Sequence, residues 1–215
     1  MSTALLPSIP PPGSYIAMND VSWESYNDIR HETDDSHVRI TYDSGRLVLM
    51  SPLPKHEFIM GRIGRLIEMA TFEWNIPICS LGSTTWKRSD LLKGLEADEC
   101  YYIQHEAQIR ALTDLDLTRD PPPDLAVEVD ITRTSLNRLP VYAALGIGEI
   151  WRHDGTRMQF LKLTADSSYQ PIERSESLSR LTPSDIDRFL AMFGSADETT
   201  IMRAFRDWAH ETKTE

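Results

Sequence analysis

Cysteine is scarce: Cys79 and Cys100 are the only two in 215 residues. Two thiols cannot form the disulfide framework of a small secreted domain. Each lies in an apolar, strand-like run, which reads as a reduced, buried thiol in a cytoplasmic protein. No apolar stretch approaches the roughly 18 residues of a membrane span. The opening MSTALLPSIPPPGSY lacks a basic region and a long apolar core, so it is not a secretory signal. It reads as a flexible Pro-rich arm over residues 1–15. There is no Gly-rich phosphate loop, no Cys/His zinc spacing, no G-x-S-x-G and no evident DNA-reading helical motif. Basic residues are outnumbered, 22 Lys and Arg against 33 Asp and Glu, for a net charge of −11. That excess argues against a generic nucleic-acid coat, though a local basic groove can coexist with it.

What is present fits a folded chain: 40% hydrophobic and 8% aromatic residues. The length suits one domain, expected over 16–165, with a C-terminal helical extension over 166–215 packed on it. A helix is expected from Ser22 to Glu32. A hairpin is expected at 38–42 and 46–50, turning at Asp43-Ser44-Gly45. Phe58, Ile59, Ile63, Leu66, Ile67 and Ala70 have helical spacing within 55–74. Strands follow at 76–81, 84–87 and 99–104, then a polar excursion over 105–123. Further on come a strand at 125–131, a helix at 135–145 interrupted by Pro140, and a hairpin around Asp154-Gly155. A helix begins at Thr182-Pro183, and another spans about 198–210. The order describes a mixed α/β domain with a central sheet. The stripe Ile201, Ala204, Phe205, Trp208 is a candidate homodimer surface, with packing on its own domain as the alternative.

The chemistry concentrates in Pro123-Asp124-Leu125-Ala126-Val127-Glu128-Val129-Asp130-Ile131. Strand side chains alternate between faces. Leu125, Val127, Val129 and Ile131 therefore form one apolar face, and Asp124, Ala126, Glu128 and Asp130 the other. Adjacent carboxylates near a core repel and resist desolvation, so they need a cation or solvent. An edge strand with a solvated face is the alternative. Upstream, Asp98 and Glu99 open a second strand. If the two strands pair, Asp98 and Glu128 converge, and two strand carboxylates, a backbone carbonyl and water make a Mg²⁺ site.

Four segments together resemble the Uma-type restriction endonuclease family of the PD-(D/E)XK nuclease superfamily: GRLVLMSPLPKHEFI (45–59), EADECYYI (96–103), PDLAVEVDIT (123–132) and LPVYAALGIGEIWRHD (139–154). The resemblance spans roughly residues 22–163. It implies a restriction-endonuclease-like αβββαβ core within an α+β mixed-sheet fold, with an N-terminal helix and hairpin and C-terminal helices. It implies that Asp98 and Glu128 ligate Mg²⁺ or Mn²⁺, with the Val129 carbonyl as a third ligand. His56 falls where the family has a histidine at the start of the first core helix; a local hydrogen bond there is the plainer alternative. The superfamily lysine two residues after the Glu is Asp130 here. An Asp cannot supply the lysine's charge, though it could add a metal ligand. The resemblance places a basic residue on the following helix instead, at Arg138, which stabilises phosphate charge but is a poor general base.

The resulting expectation is a Mg²⁺-dependent endonuclease hydrolysing DNA phosphodiesters. Arg62, Arg65, Lys87, Arg88 and Arg133 are the candidate phosphate contacts, and the strand of Lys87 is expected beside Asp98. Tyr142 reads as packing against the sheet. The competing class is a catalytically impaired nuclease-fold protein that binds nucleic acid or protein as a dimer. A metal-dependent hydrolase acting on another phosphate ester is a third reading, and it requires a small pocket.

Overall fold

The computed structural model describes residues 9–131 and 136–212. The chain begins with β1 (Tyr15–Met18), α1 (Trp23–Glu32), β2 (Arg39–Asp43), β3 (Arg46–Met50) and the long α2 (Pro54–Trp74). Four strands follow: β4 (Cys79–Gly82), β5 (Thr85–Arg88), β6 (Lys93–Glu96) and β7 (Glu99–Tyr102). The short α3 (Glu106–Ile109) precedes β8 (Leu125–Val129), α4 (Leu139–Ala144), β9 (Glu149–His153), β10 (Met158–Leu163) and β11 (Tyr169–Ile172). The chain closes with α5 (Pro183–Met192) and α6 (Glu198–Glu211).

The strands divide between two sheets rather than one. A five-stranded sheet has the order β1-β3-β2-β6-β5, and a six-stranded sheet the order β11-β10-β9-β8-β7-β4. Within the six-stranded sheet, β8 and β9 run parallel, which requires the crossover that α4 supplies. The run α2-β4-β7-β8-α4-β9 is the αβββαβ core of a restriction-endonuclease-like fold, with β5 and β6 diverted into the other sheet.

Local chemistry explains most of these boundaries. The β2–β3 turn carries positive φ at Ser44 (49°) and Gly45 (97°), the two-residue geometry that matches strand twist. Ser22 caps α1 through the Ser25 N–H, and Thr182 with Asp185 forms a capping box on α5. Pro140 lies in the first turn of α4, where its missing N–H costs nothing, so it starts that helix instead of interrupting it. Three strands escaped periodicity: β1, β6, with Gly94 at its centre, and β11. Each is fixed by pairing, β1 against β3, β6 against β2 and β11 against β10.

All five residues of β8 are buried, because both faces of its sheet are covered. Leu125, Val127 and Val129 pack with Ile59, Ile63, Leu66 and Ile67 of α2, and with α5 and α6. Ala126 packs on the opposite side with Val141, Tyr142 and Leu145. An edge strand with a solvated acidic face is therefore excluded. The α6 stripe is also spoken for: Ile201 and Phe205 are buried in that core, and Ala204 and Trp208 pack against it. Burying such side chains stabilises the fold by about 1.5–3 kcal/mol each, which explains the helix without a partner chain.

Candidate active site

Asp98 lies in the two-residue link between β6 and β7, where the chain passes from one sheet to the other. β7 pairs antiparallel with β8, Glu99 opposite Val127, so Asp98 stands just past the last rung. Its Oδ2 takes the next rung's place and accepts the Val129 N–H at 2.8 Å. The same oxygen is 2.9 Å from His56 Nε2, which the first turn of α2 presents. Asp98 and His56 are each 1% exposed. The other oxygen, Oδ1, is buried with no hydrogen-bond partner among the described residues.

Glu128 projects from β8 toward α4. Its Oε1 accepts the Tyr142 hydroxyl at 2.7 Å. Arg138 Nη1 lies 2.6 Å from Oε1 and 2.8 Å from Oε2, while Arg138 Nη2 donates to the Glu96 carbonyl. The strand pairing expected between the two acidic segments is present: it sets Asp98 beside Glu128, and the charge of each carboxyl acts on the other.

Against known families, the Uma2 model, described as "Putative restriction endonuclease", matches residues 23–189. The chain belongs to the Uma2 family. No curated protein matches it. The Uma2 match runs from the start of α1 into α5 and encloses every residue of the Asp98–Glu128 cluster.

The electrostatics of this Uma2 site split the two acids. Burial pushes the Glu128 carboxyl well above the usual range, Arg138 opposes this, and Asp98 adds to it. Burial would raise Asp98 too, but the hydrogen bond and charge of His56, the charge of Arg138 and the Val129 N–H outweigh it and hold Asp98 low. His56 is raised: burial disfavours its cation, but Asp98 and then Glu57 more than compensate. Burial and the Asp98 charge thus favour the neutral form of Glu128, while Arg138 and the Tyr142 hydroxyl favour its carboxylate.

A hard cation suits these donors. The side-chain donors at the meeting point are oxygens, and the buried Asp98 Oδ1 has no hydrogen-bond partner among the described residues. Among the described residues no group of three or more His, Cys, Asp or Glu side chains is set to hold an ion. Further ligands would therefore have to be backbone carbonyls or water.

The remaining expected residues lie elsewhere. Asp130 does not join the pair: its carboxylate is 2.5 Å from Arg152 Nη2 and half-exposed. The β5 strand is in the five-stranded sheet, where Thr85, not Lys87, stands opposite Glu96. Lys87 bonds Asn27 at 2.7 Å, and Arg88 grips Asp90 at 2.6 and 2.7 Å. Arg62 and Arg65 pair with Glu198, and Arg62 also covers the Phe58 and Phe193 rings. Arg133 lies outside the described residues.

Three participants were not expected in these roles. Tyr142, read as packing, holds Glu128 through its hydroxyl. Arg39 Nη1 donates to Glu96 Oε1 at 2.8 Å, and Arg39 Nε is 3.5 Å from Asp98 Oδ1. Arg39 alternates with Val38, Ile40 and Tyr42 along its strand, which marks it as facing away from that core. Only the β2–β6 pairing, invisible to periodicity, brings it to Glu96 and Asp98.

Proposed function

We propose that this Uma2 protein is a Mg²⁺- or Mn²⁺-dependent endonuclease that hydrolyses DNA phosphodiester bonds, with Asp98 and Glu128 as its protein ligands. The carrying observation is the pairing that sets two buried carboxyls side by side, one with an oxygen that accepts no hydrogen bond from the described residues. When bound there, the ion supplies a Lewis acid at a phosphoryl oxygen and a water acidified toward neutral pH. The chain's own residues do the positioning. His56 and the Val129 N–H fix Asp98 by its Oδ2 and do not use Oδ1. Tyr142 and Arg138 fix Glu128, which ligates as the carboxylate. The carbonyl of Val129 is the proposed backbone ligand, because the N–H and C=O of one strand residue face the same edge.

The test is cleavage of plasmid and single-stranded DNA with Mg²⁺ or Mn²⁺, wild type against Glu128→Ala. Metal-dependent cutting that disappears in the variant is expected. No cutting by the wild type, or cutting that survives the substitution, contradicts the proposal. A second reading, a nuclease-fold binding protein that no longer cuts, is favoured by one feature. Asp130 stands where the superfamily has lysine, and Arg152 holds it. Calorimetry showing no Mg²⁺ or Mn²⁺ binding would select that reading.

A further inference from the structure

Two arginines flank the carboxyl pair, and their attachments differ. Arg138 closes a ring: Nη1 spans both Glu128 oxygens, Nη2 holds the Glu96 carbonyl, and the guanidinium lies 5.6 Å from the Tyr142 ring centre. Moving it would strip Glu128 of its countercharge. Arg39 is held by one hydrogen bond, Nη1 to Glu96 Oε1. Its buried Nε has no hydrogen-bond partner among the described residues, and the buried Asp98 Oδ1 facing it has none either. Its Nη2 is 4.0 Å from Glu57 Oε1, beyond hydrogen-bond distance.

Arg39 also lines a polar cavity of about 390 Å³, together with Arg30 and His37 and the acids Asp34, Asp35 and Glu96. That volume is of the size that receives a small ligand. Asp98 Oδ1 is the lone-pair position left for a cation, and Arg39, whose Nε faces it at 3.5 Å, is the residue that links it to the cavity. A phosphate reaching such a cation from the cavity would meet Arg39 before any other arginine of the cluster. A guanidinium with spare donors suits a phosphate oxygen pair.

We propose that Arg39 is the residue that grips the substrate phosphate from this cavity, and that Arg138 is a positioning residue for Glu128. The inference rests on the nuclease reading for its substrate, a nucleic-acid phosphodiester. It reassigns the phosphate contact from the helix arginine to one on β2.

The experiment is binding of a labelled single-stranded oligonucleotide, followed by fluorescence anisotropy over a salt series, in EDTA and again in Ca²⁺. Each variant is also followed through thermal unfolding. Arg39→Gln is expected to weaken binding about 5–10-fold and to reduce the log–log salt slope by about 0.7, the loss of one single-strand phosphate contact. Arg39→Lys keeps the charge and is expected to keep the slope. Arg138→Gln is expected to keep the slope while weakening Mn²⁺ binding. Arg206→Gln, beside Phe72 at the far end of α2, serves as the surface control. Glu96→Gln retains Arg39 but removes its one hydrogen-bonded anion, and several-fold tighter binding is expected even if Arg39→Gln does not fold. An unchanged slope in a folded Arg39→Gln, a larger slope loss in Arg138→Gln, or no tightening in Glu96→Gln would overturn the proposal. Wild-type binding without Mg²⁺- or Mn²⁺-dependent cleavage would remove the nuclease reading and leave the arginine comparison standing. No wild-type binding in either buffer would overturn the Arg39 assignment, whatever the plasmid assay shows.

Discussion

The two ends of β8 both carry buried acids, and the acids are satisfied in different ways. At the end where the strand begins, Glu149 of the neighbouring strand is 2% exposed and stands opposite Leu125. It accepts the Trp151 indole N–H at 2.7 Å and the backbone N–H groups of Glu176 and Ser177 at 3.1 and 2.8 Å. Asp124 at that end accepts the N–H groups of Ile103 and His105. These donors are mostly neutral, and they tie loops to the sheet. At the other end, Asp98 and Glu128 are met by His56, Arg138 and Arg39, and Asp98 Oδ1 has no hydrogen-bond partner among the described residues. An acid in a central sheet is therefore not a site by itself. The site is the end where charges oppose charges and a lone pair is unclaimed.

Substitutions at the two ends should separate these roles. Glu128→Gln, which keeps an acceptor oxygen for Tyr142 and Arg138, is expected to abolish metal-dependent DNA cleavage while the protein stays folded, checked by plasmid nicking and circular dichroism. Glu149→Ala is expected to do the reverse. It strands three buried donors and should cost about 3 kcal/mol in urea unfolding, with cleavage retained below the transition. Equal stability losses at both ends would erase the contrast. Tyr142→Phe removes only the hydroxyl on Glu128 and should lower Mn²⁺ affinity or cleavage by about 10–100-fold, the range for groups that orient metal ligands.

The smallest effect concerns pH. Burial, helped by Glu68 and Asp98 and opposed by Tyr101, raises the Glu99 carboxyl from 4.5 to about 7. The folded protein then holds a proton that the unfolded chain releases, so this group's stabilisation is complete below pH 4.5 and lost as pH rises through about 7. Glu128 acts with the same sign. Asp98 acts oppositely, its stabilisation falling away only below 3.8. The melting temperature of the metal-free protein should therefore decline from pH 5 to pH 8, and Glu99→Gln should flatten part of that decline. A melting temperature that rises over this range would contradict the assignment.

Much of this was legible in the residues because it depends on local periods. Alternation along 125–131 placed Glu128 on the face away from Leu125 and Val127. Helical spacing placed α2, and resemblance joined Asp98 to Glu128 and pointed to Arg138. The residues that were not legible reach the site through long-range pairing. Arg39 arrives only because β6 adds to the edge of β2, and β6 has a glycine and no β-branched or aromatic residue. Lys87 was misplaced for the same reason, since β5 follows β6 into the five-stranded sheet. Asp130 shares a face with Glu128 by alternation. It lies just past the end of β8, where Arg152 on the parallel neighbour takes its carboxylate.

The central claim is that Asp98 and Glu128 together hold a divalent cation. Titrating Mn²⁺ into the protein by calorimetry at pH 7 tests it most directly. One ion should bind, and Asp98→Asn should abolish that binding. An absence of binding, or binding that Asp98→Asn leaves intact, would contradict the account.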